Sequence, residues 1–441
     1  MKKHKDKSCT TSCDKTDQMC LPETSSTRIV VIGGGFAGLS FIKGLKHEAV
    51  QLVLIDKNNF HQFQPLLYQV ATSGLEPDNI AFPFRKQFRD YKHVVFRMAE
   101  VLKISTQDQL VFTDKGFLSY DYLVLATGTS TNFFGMENIE KYALGMKSIT
   151  DALDIRHSML RHLEEAAISC DEEEREALTN FVIVGGGPAG IEMAGALAEF
   201  RRYILPKDYP EYPASIAKIY LLEGGPKLLP AMSESASAKS LKYLKELEVE
   251  VLLNEIVTDY QNETVLTKSG RKIPAKNLIW TAGVKGEWPS GIGDEQLTFG
   301  NRIKTNGYLQ VEGMTKVFAL GDVSAVITEK TPKGHPQVAQ AAIQQGAYLA
   351  KAILEIMQGQ TPAQPFTYKD KGSLATVGRR RAVADLRRLK FGGYLAWWLW
   401  SLVHLMSISG FKNKVLVAIN WAISYFSYEK SNRLIIRKDK S

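Results

Sequence analysis

No two of the four cysteines, Cys9, Cys13, Cys20 and Cys170, form a C-x-x-C pair. Dithiol chemistry of the disulfide-reductase kind needs such a pair to carry electrons onward, so it is excluded. Three of the four sit in a polar stretch before residue 28, which argues against a disulfide framework and for a reducing compartment. Their spacing fits no zinc pattern, and neither His61 nor His93 has a second ligand at helical spacing, so no metal is expected. No apolar segment follows the first lysines, which argues against a secretory signal. Nor is there a run of the ~20 apolar residues that a spanning helix requires. The longest candidate, Tyr394–Ser409, contains His404 and is interrupted by Gly410–Lys414 with its two lysines.

Acidic residues are scarce at one end only. From Arg379 to Ser441 thirteen Lys/Arg stand against three Asp/Glu, which accounts for all of the chain's net +8. A nucleic-acid binder would spread its basic charge over a folded face, so nucleic acid is not the expected partner. An anionic membrane surface suits a basic tail better. Four of the six tryptophans fall in the same end. Trp and Tyr favour the headgroup boundary with Lys/Arg beside them, so residues 391–441 read as an amphipathic helical anchor lying in the interface plane. On that reading, a chain stopped after Lys390 keeps both of its nucleotide folds and loses only the membrane. The competing reading is a helical pair packed on the protein itself or on a partner subunit. A homodimer with its anchors on one face satisfies both.

What the chain does have is one glycine phrase used twice. "RIVVIGGGFAGLS" runs a short β-branched strand into Gly33, Gly35 and Gly38, a G-x-G-x-x-G loop, and then into a helix. The first glycine permits the turn, the second lets a pyrophosphate approach the backbone, and the third lets helix and strand pack closely. Phosphates sit on the free N–H groups of the helix start, here around Phe36 and Ala37. The next strand, "VQLVLID", ends at Asp56 beside Lys57, where an acid would hold the adenosine ribose. "FVIVGGGPAGIEMAG" repeats the design with Gly185, Gly187, Pro188, Ala189 and Gly190, and its second strand ends at Glu223. Two complete sites imply two dinucleotides held by one α/β chain, and the simplest use of that is electron transfer between them.

Three further strands end in small turns: "DYLVLATGT" at Ala126, Thr127 and Gly128, "NLIWTAGV" at Ala282 and Gly283, and "TKVFALGDVS" at Gly321 and Asp322. The order of these motifs resembles the two-dinucleotide-binding flavoprotein architecture over most of residues 28–390. That resemblance implies an FAD domain interrupted by an NADH domain, with FAD held non-covalently by the first loop and by Asp322. By itself Asp322 also reads as a strand-end turn former. The corresponding division is a disordered tail 1–27, an FAD domain 28–150, an NADH domain 151–300, a second FAD part 301–390 and the anchor 391–441.

"FHQFQPLLYQVATSGLEP", "AQAAIQQG" and "KDKGSLATVG" are similar to segments of the type II NADH:quinone oxidoreductases. Membership would imply NADH oxidation through FAD to a membrane quinone without proton pumping. It would also imply a peripheral position, on the cytoplasmic face of a bacterial inner membrane. It places Gln340, Gln344 and Gln345 by the quinone and flavin, Glu192 after the second loop as the family's glutamate, and Lys371 on the route to the acceptor. Gln340 and Gln344 are one helical turn apart and offer a quinone neutral donors and acceptors. For the Gln-rich face the alternative is plain solvation, and for Glu192 it is stabilisation of a helix N-terminus. Two other functions stay open: a soluble NAD(P)H-dependent flavin or ferredoxin reductase, and a flavin-bearing redox sensor of the apoptosis-inducing-factor type. "EGGPK" after Glu223 offers no arginine for a 2′-phosphate, so NADH is expected over NADPH.

Overall fold

The computed structural model describes residues 18–213, 216–329, 331–427, 430 and 432–435. They fall into two units. The first comprises the chain up to His61, Pro83–Thr129 and Gly286–Tyr368; the second comprises Gln62–Phe82, Ser130–Lys285 and the chain from Lys369 on.

The first unit is organised by a parallel sheet in the order Val94–Met98, Gln51–Asp56, Arg28–Ile32, Tyr122–Leu125, Val317–Ala319. Its inner strands are β-branched and Leu-rich and are buried on both faces, as helices and loops covering a parallel sheet require. Val31, Leu54, Val124 and Phe318 point into one core, and Val30, Val53, Leu123 and Val317 into the other. Two helices cover the first core, Phe36–Gly44 and Ala339–Met357. They meet along small residues. A Cβ on Gly44 would lie 2.5 Å from the Ala350 Cβ, and one on Gly346 would lie 2.4 Å from the Ala37 carbonyl oxygen. Ser40 Oγ donates to the Ile343 carbonyl at 2.8 Å across the same seam.

The expected tail boundary at residue 27 needs correction. Gln18 bridges to Phe117, the Met19 N–H donates to the Phe117 carbonyl at 2.7 Å, and Met19 is buried in the second core. The Gln51 amide also holds the Pro22 carbonyl at 2.8 Å. Folded chain therefore begins by Gln18. The reading of residues 1–17 as disordered, with Cys9 and Cys13, lies outside the described residues.

The second unit repeats the parallel sheet, in the order Leu144–Gly145, Asn277–Trp280, Phe181–Val184, Ile219–Glu223, Glu250–Leu253. Helix Ile149–Ile168 begins on a capping box, with Ser148 Oγ accepting from the Asp151 N–H and the Asp151 carboxylate accepting from the Ser148 N–H. The expected boundaries at 150 and 300 need correction, because residues 130–150 belong to this unit and residues 286–300 to the first. Two further segments join this unit against expectation. Residues 62–82, expected in the FAD domain, bury Leu66, Leu67, Val70 and Ala71, and their short helix Leu67–Ala71 packs on Ile149–Ile168 and on Pro188–Tyr203. Residues 369–390, expected as FAD-domain chain, form an antiparallel sheet of Ser373–Thr376, Ala382–Asp385 and Lys390–Gly392 against the same unit.

The C-terminal end forms two helices, Tyr394–Ser407 and Phe411–Ser427. No helix among the described residues is long and apolar enough to cross a membrane. One face of the pair is core: Ala396, Trp400 and Val417 are buried, and the Asn413 amide donates to the carbonyls of Asp78 and Ala81 at 2.8 and 2.9 Å. Stopping the chain after Lys390 would therefore uncover the second unit's interior, so the expectation of an intact truncated enzyme is withdrawn. The seam between the first unit's helices gives a test of its own. Gly346→Ala is expected to destabilise by about 1–3 kcal/mol through overpacking, read as a lowered thermal midpoint. An unchanged midpoint would show that the helices can part freely.

Candidate functional site

The two glycine loops have the same geometry. In the first, Gly33 has φ +98°, and a Cβ there would lie 2.4 Å from the Ala126 carbonyl oxygen. A Cβ on Gly38 would lie 2.1 Å from the Gly33 oxygen, so helix and strand touch there without side chains. Gly35 faces open space and caps helix Phe36–Gly44, whose first N–H groups receive no side-chain cap. In the second, Gly185 has φ +112°, a Cβ on Gly190 would lie 1.9 Å from the Gly185 oxygen, and Gly187 faces open space. Gly187 likewise caps Pro188–Tyr203 without a side-chain bond, and Pro188 and Ala189 are exposed. Each loop thus presents an uncapped helix start behind a glycine that leaves room for a phosphate, which fits a dinucleotide at both.

The two acids also match. Asp56 accepts the Gly34 N–H at 2.7 Å and the Asn58 N–H at 2.8 Å; Glu223 accepts the Gly186 N–H at 2.6 Å and the Gly225 N–H at 2.7 Å. Each carboxylate is fixed through its own loop and keeps lone pairs for a ribose hydroxyl. Burial raises the Asp56 pKa, opposed by those two N–H groups. Lys57 lies 3.3 Å from the Glu287 carboxylate, and Lys227 pairs with Glu234. His61, one of the two histidines a metal would have used, is buried with Nδ1 donating to the Gly34 carbonyl at 3.0 Å. Burial pushes it down to about 4, so it supports the first loop as a neutral ring.

Around the first loop the structure gathers Ala126, Thr127 and Gly128, with Thr127 Oγ1 donating to the Glu287 carbonyl. Gly321 opens a tight turn at φ +73° that packs over Ala37. The Gly321 N–H donates to Gln345 Oε1 at 2.6 Å, and Gln337 donates to the Asp322 carbonyl at 2.9 Å. Gln345 is fully buried, so it supports the turn from beneath. Ala37 likewise turns its side chain into the seam. Gln340 and Gln344 are half-buried on the first two turns of helix Ala339–Met357. In the second unit Ala282 lies against Gly185, and Gly283 lies under the exposed ring of Phe134. Lys371 is exposed.

Glu192, also in the second unit, is only 7% exposed. Its Oε1 accepts the Thr376 N–H at a loose 3.4 Å. Burial pushes the carboxyl up to about 8, with the Thr376 N–H and the Trp400 indole acting the other way. A carboxyl that is neutral near pH 7 gives a helix N-terminus little support, so the macrodipole reading loses ground. Trp400 itself is 2% exposed, with His404 stacked on it at 4.1 Å. The sequence alone did not single out Tyr68, buried within electrostatic reach of Glu192, or buried Trp400. Only the polar spacing of "LLYQVATSG" and the density of tryptophan could have signalled them.

Two nucleotide-shaped loops in one chain without a redox cysteine pair define an electron-transferring oxidoreductase of the pyridine-nucleotide class. Residues 27–346 match the pyridine nucleotide-disulphide oxidoreductase family, and residues 371–427 match the NDH2 C-terminal domain. The chain is 35% identical over 425 residues to the type II NADH:quinone oxidoreductase Ndh of Mycobacterium tuberculosis, covering 92% of this chain and 90% of that protein. It is 28% identical to the type II NADH:quinone oxidoreductase of Haemophilus influenzae, over 82% of this chain and 88% of that one. In fold it is similar to NDH2 from Plasmodium falciparum, solved in complex with NADH, with a TM-score of 0.84 at 21% identity, covering 93% of this chain and 100% of that chain. The chain belongs to the type II NADH:quinone oxidoreductases.

The raised Glu192 pKa has a consequence for stability. Folded protein holds this proton from the ordinary value of 4.5 up to about 8, whereas unfolded chain releases it. Between those limits the folded state binds more protons, so stability falls as pH rises. Glu192→Gln is expected to remove that slope. Its thermal midpoint should gain on the parent's from pH 5 to pH 8, by the equivalent of a few kcal/mol. A constant difference across that range would mean the carboxyl is ionised throughout.

Proposed function

We propose that this chain passes electrons from NADH through non-covalently held FAD to a membrane quinone, as a peripheral protein on the cytoplasmic face of a bacterial inner membrane. The observation that carries the reading is the pair of matched loops, each an uncapped helix start with a carboxylate clamped beside it. When bound, FAD would supply the two-electron redox chemistry that joins oxidation of the nicotinamide to reduction of the quinone. The first loop, Asp56 and the Gly321–Asp322 turn would hold FAD. The second loop, Glu223 and the Ala282–Gly283 turn hold NADH. Gln340 and Gln344 offer a quinone carbonyl neutral hydrogen bonds, which add no charge beside the flavin. Glu192, protonated near neutral pH, is suited to release a proton to the reduced quinone, and exposed Lys371 would line the route to that acceptor. A quinone that takes its electrons and its protons from the same face moves no charge across the bilayer, so no proton is pumped.

The outer face of the C-terminal helices supports the membrane assignment. Leu395, Leu402, Met406, Phe411, Ile423 and Phe426 are 54% to 83% exposed, opposite the buried Ala396, Trp400 and Val417. Lys412 and Lys414 lie between them in sequence. Such a face lies on a lipid surface, held by apolar burial and by attraction of the basic end to anionic headgroups. Two chains can bring two such faces to one bilayer, so a homodimer fits the same surface.

Substituting Leu402 and Phe411 together by Asp should leave the fold intact, because neither side chain is core. Partition onto anionic vesicles at high salt should fall roughly a hundredfold or more, since two large apolar side chains contribute about 1.5–3 kcal/mol each on burial. Activity with a water-soluble quinone should persist. Undiminished flotation would remove the anchor, and turnover only with soluble flavin or ferredoxin would favour the reductase alternative. At the nucleotide end, Glu223→Gln should lower the preference for NADH over NADPH about tenfold or more, as loss of a charged hydrogen bond at 1.5–3 kcal/mol implies. The ratio of kcat/KM values is the readout, and an unchanged ratio would take Glu223 off the ribose.

A further inference from the structure

The turn between the strands Ser373–Thr376 and Ala382–Asp385 holds an arginine in a conformation that favours glycine. Arg380 has φ +63°, two residues after Gly378 at φ +70°. A left-handed arginine costs stability, and it persists only where its surroundings fix it. Here they do. The Val377 N–H donates to the Arg381 carbonyl at 2.8 Å, and Thr376 Oγ1 donates to the Gly378 carbonyl, also at 2.8 Å. The Arg379 N–H is held by the Glu199 carboxylate. The Arg379 guanidinium donates to Ser424 Oγ at 3.0 Å and to the Tyr425 carbonyl at 3.2 Å, which ties the turn to the end of helix Phe411–Ser427. Arg380, next in the chain, is exposed, and its guanidinium lies 4.5 Å from the centre of the Tyr425 ring. Tyr425 Oη meets Tyr394 Oη at 3.4 Å, at the start of helix Tyr394–Ser407.

We propose that Arg380, with the Tyr394 and Tyr425 hydroxyls, is a headgroup site for the phosphate of an anionic phospholipid. This rests on the reading of the C-terminal helices as a membrane face, and it gives that face a chemical preference. A guanidinium that lies over a ring still presents N–H groups at its edge, and that edge fits two phosphate oxygens at once. Whichever tyrosine gives its hydrogen to the other, one O–H remains to donate. The position suits a lipid. Tyr394 packs on exposed Trp398 with ring centres 6.1 Å apart, and Tyr425 packs on exposed Phe426 at 5.2 Å, so the site borders the exposed apolar row. Tyr and Trp settle at the depth of the headgroups. The charge is complementary as well. Arg387, Arg388 and Lys390 are exposed on or beside the next turn of the same small sheet, and among the described residues neither they nor Arg380 forms an ion pair. An acidic soluble protein would match that charge but would leave the apolar row uncovered, so lipid is the better fit.

The test uses full-length holoenzyme and co-flotation with vesicles of neutral phosphatidylcholine, alone or mixed with anionic phosphatidylglycerol, at low and high salt. The parent should prefer the anionic vesicles at both. Arg380→Asn should cut that preference about tenfold or more at high salt, as loss of a charge-assisted contact implies. Its thermal midpoint should hold or rise, because asparagine adopts a positive φ at less cost. Arg380→Lys keeps the charge without the planar fork and should lose most of the same preference. Tyr425→Phe keeps the ring beneath the guanidinium and should lose less. Arg388→Gln should act at low salt only, because diffuse attraction is screened. Excess inorganic phosphate at constant ionic strength should leave the preference unchanged. If Arg380→Asn behaves like Arg388→Gln, or if its loss of binding follows a lowered midpoint, the headgroup site is wrong. Displacement by inorganic phosphate would overturn the lipid assignment, the ligand then being free phosphate. A parent that binds both vesicles equally overturns the site and leaves the membrane reading standing. If the parent binds neither, the site falls together with the reading beneath it.

Discussion

A side chain on Gly38 would place its Cβ 2.1 Å from the Gly33 oxygen, and one on Gly190 would place it 1.9 Å from the Gly185 oxygen. Neither distance is tolerable, so each loop exists only because its third glycine lets a helix start lie directly against the strand it leaves. The rest of the site follows from that approach. It puts uncapped N–H groups at the end of the sheet, it brings Gly34 and Gly186 within reach of Asp56 and Glu223, and it leaves open space at Gly35 and Gly187. The seam of Gly44, Gly346 and Ala350 extends the same constraint to the glutamine helix in the first unit. The Gly321 turn, with Gln345 beneath it, is held by what that seam permits.

The second unit adds a different kind of chemistry to its loop. The helix that begins at Pro188 carries Glu192 one turn in, where burial holds the carboxyl neutral. A neutral buried acid is inexpensive until it ionises, and then it needs donors already in place. The Thr376 N–H is such a donor, at 3.4 Å, and the C-terminal helix pair closes the same unit with Ala396, Trp400 and Val417 buried. That pair therefore has two faces with two duties. Its inner face belongs to the protein's own core, and its exposed row of Leu, Met and Phe is what a lipid surface would cover.

Sequence made some of this legible and concealed the rest for physical reasons. The loops were legible from their glycine spacing and the acids because each ends the next strand, even though an insertion sets Glu223 further from its loop than Asp56: Gly33, Gly35, Gly38 and Asp56 recur as Gly185, Gly187, Gly190 and Glu223. The partner of residues 62–82 was not, since an apolar run such as Leu66–Ala71 states that it is buried but not against what. The aromatic end was read by one of its faces. Trp400 and Trp398 are two residues apart in the same run, yet Trp400 is 2% exposed and Trp398 is 53% exposed, and no composition argument separates them. Gln345 was recognised as part of a motif, but its buried bond to the Gly321 N–H depends on a turn 24 residues away in sequence. Nothing near Gln69 in sequence signals the Trp421 indole bonded to its amide, 352 residues away.

The central claim is that one chain takes electrons from NADH and gives them to a quinone through a flavin it retains. Anaerobic double mixing of the purified protein tests it directly. NADH in the first mix should bleach the flavin absorbance, NADPH should do so far more slowly, and a quinone analogue in the second mix should restore the oxidised spectrum within a turnover time. A flavin that NADH fails to bleach, or one that is bleached but returns only with oxygen or a soluble flavin, would contradict the account.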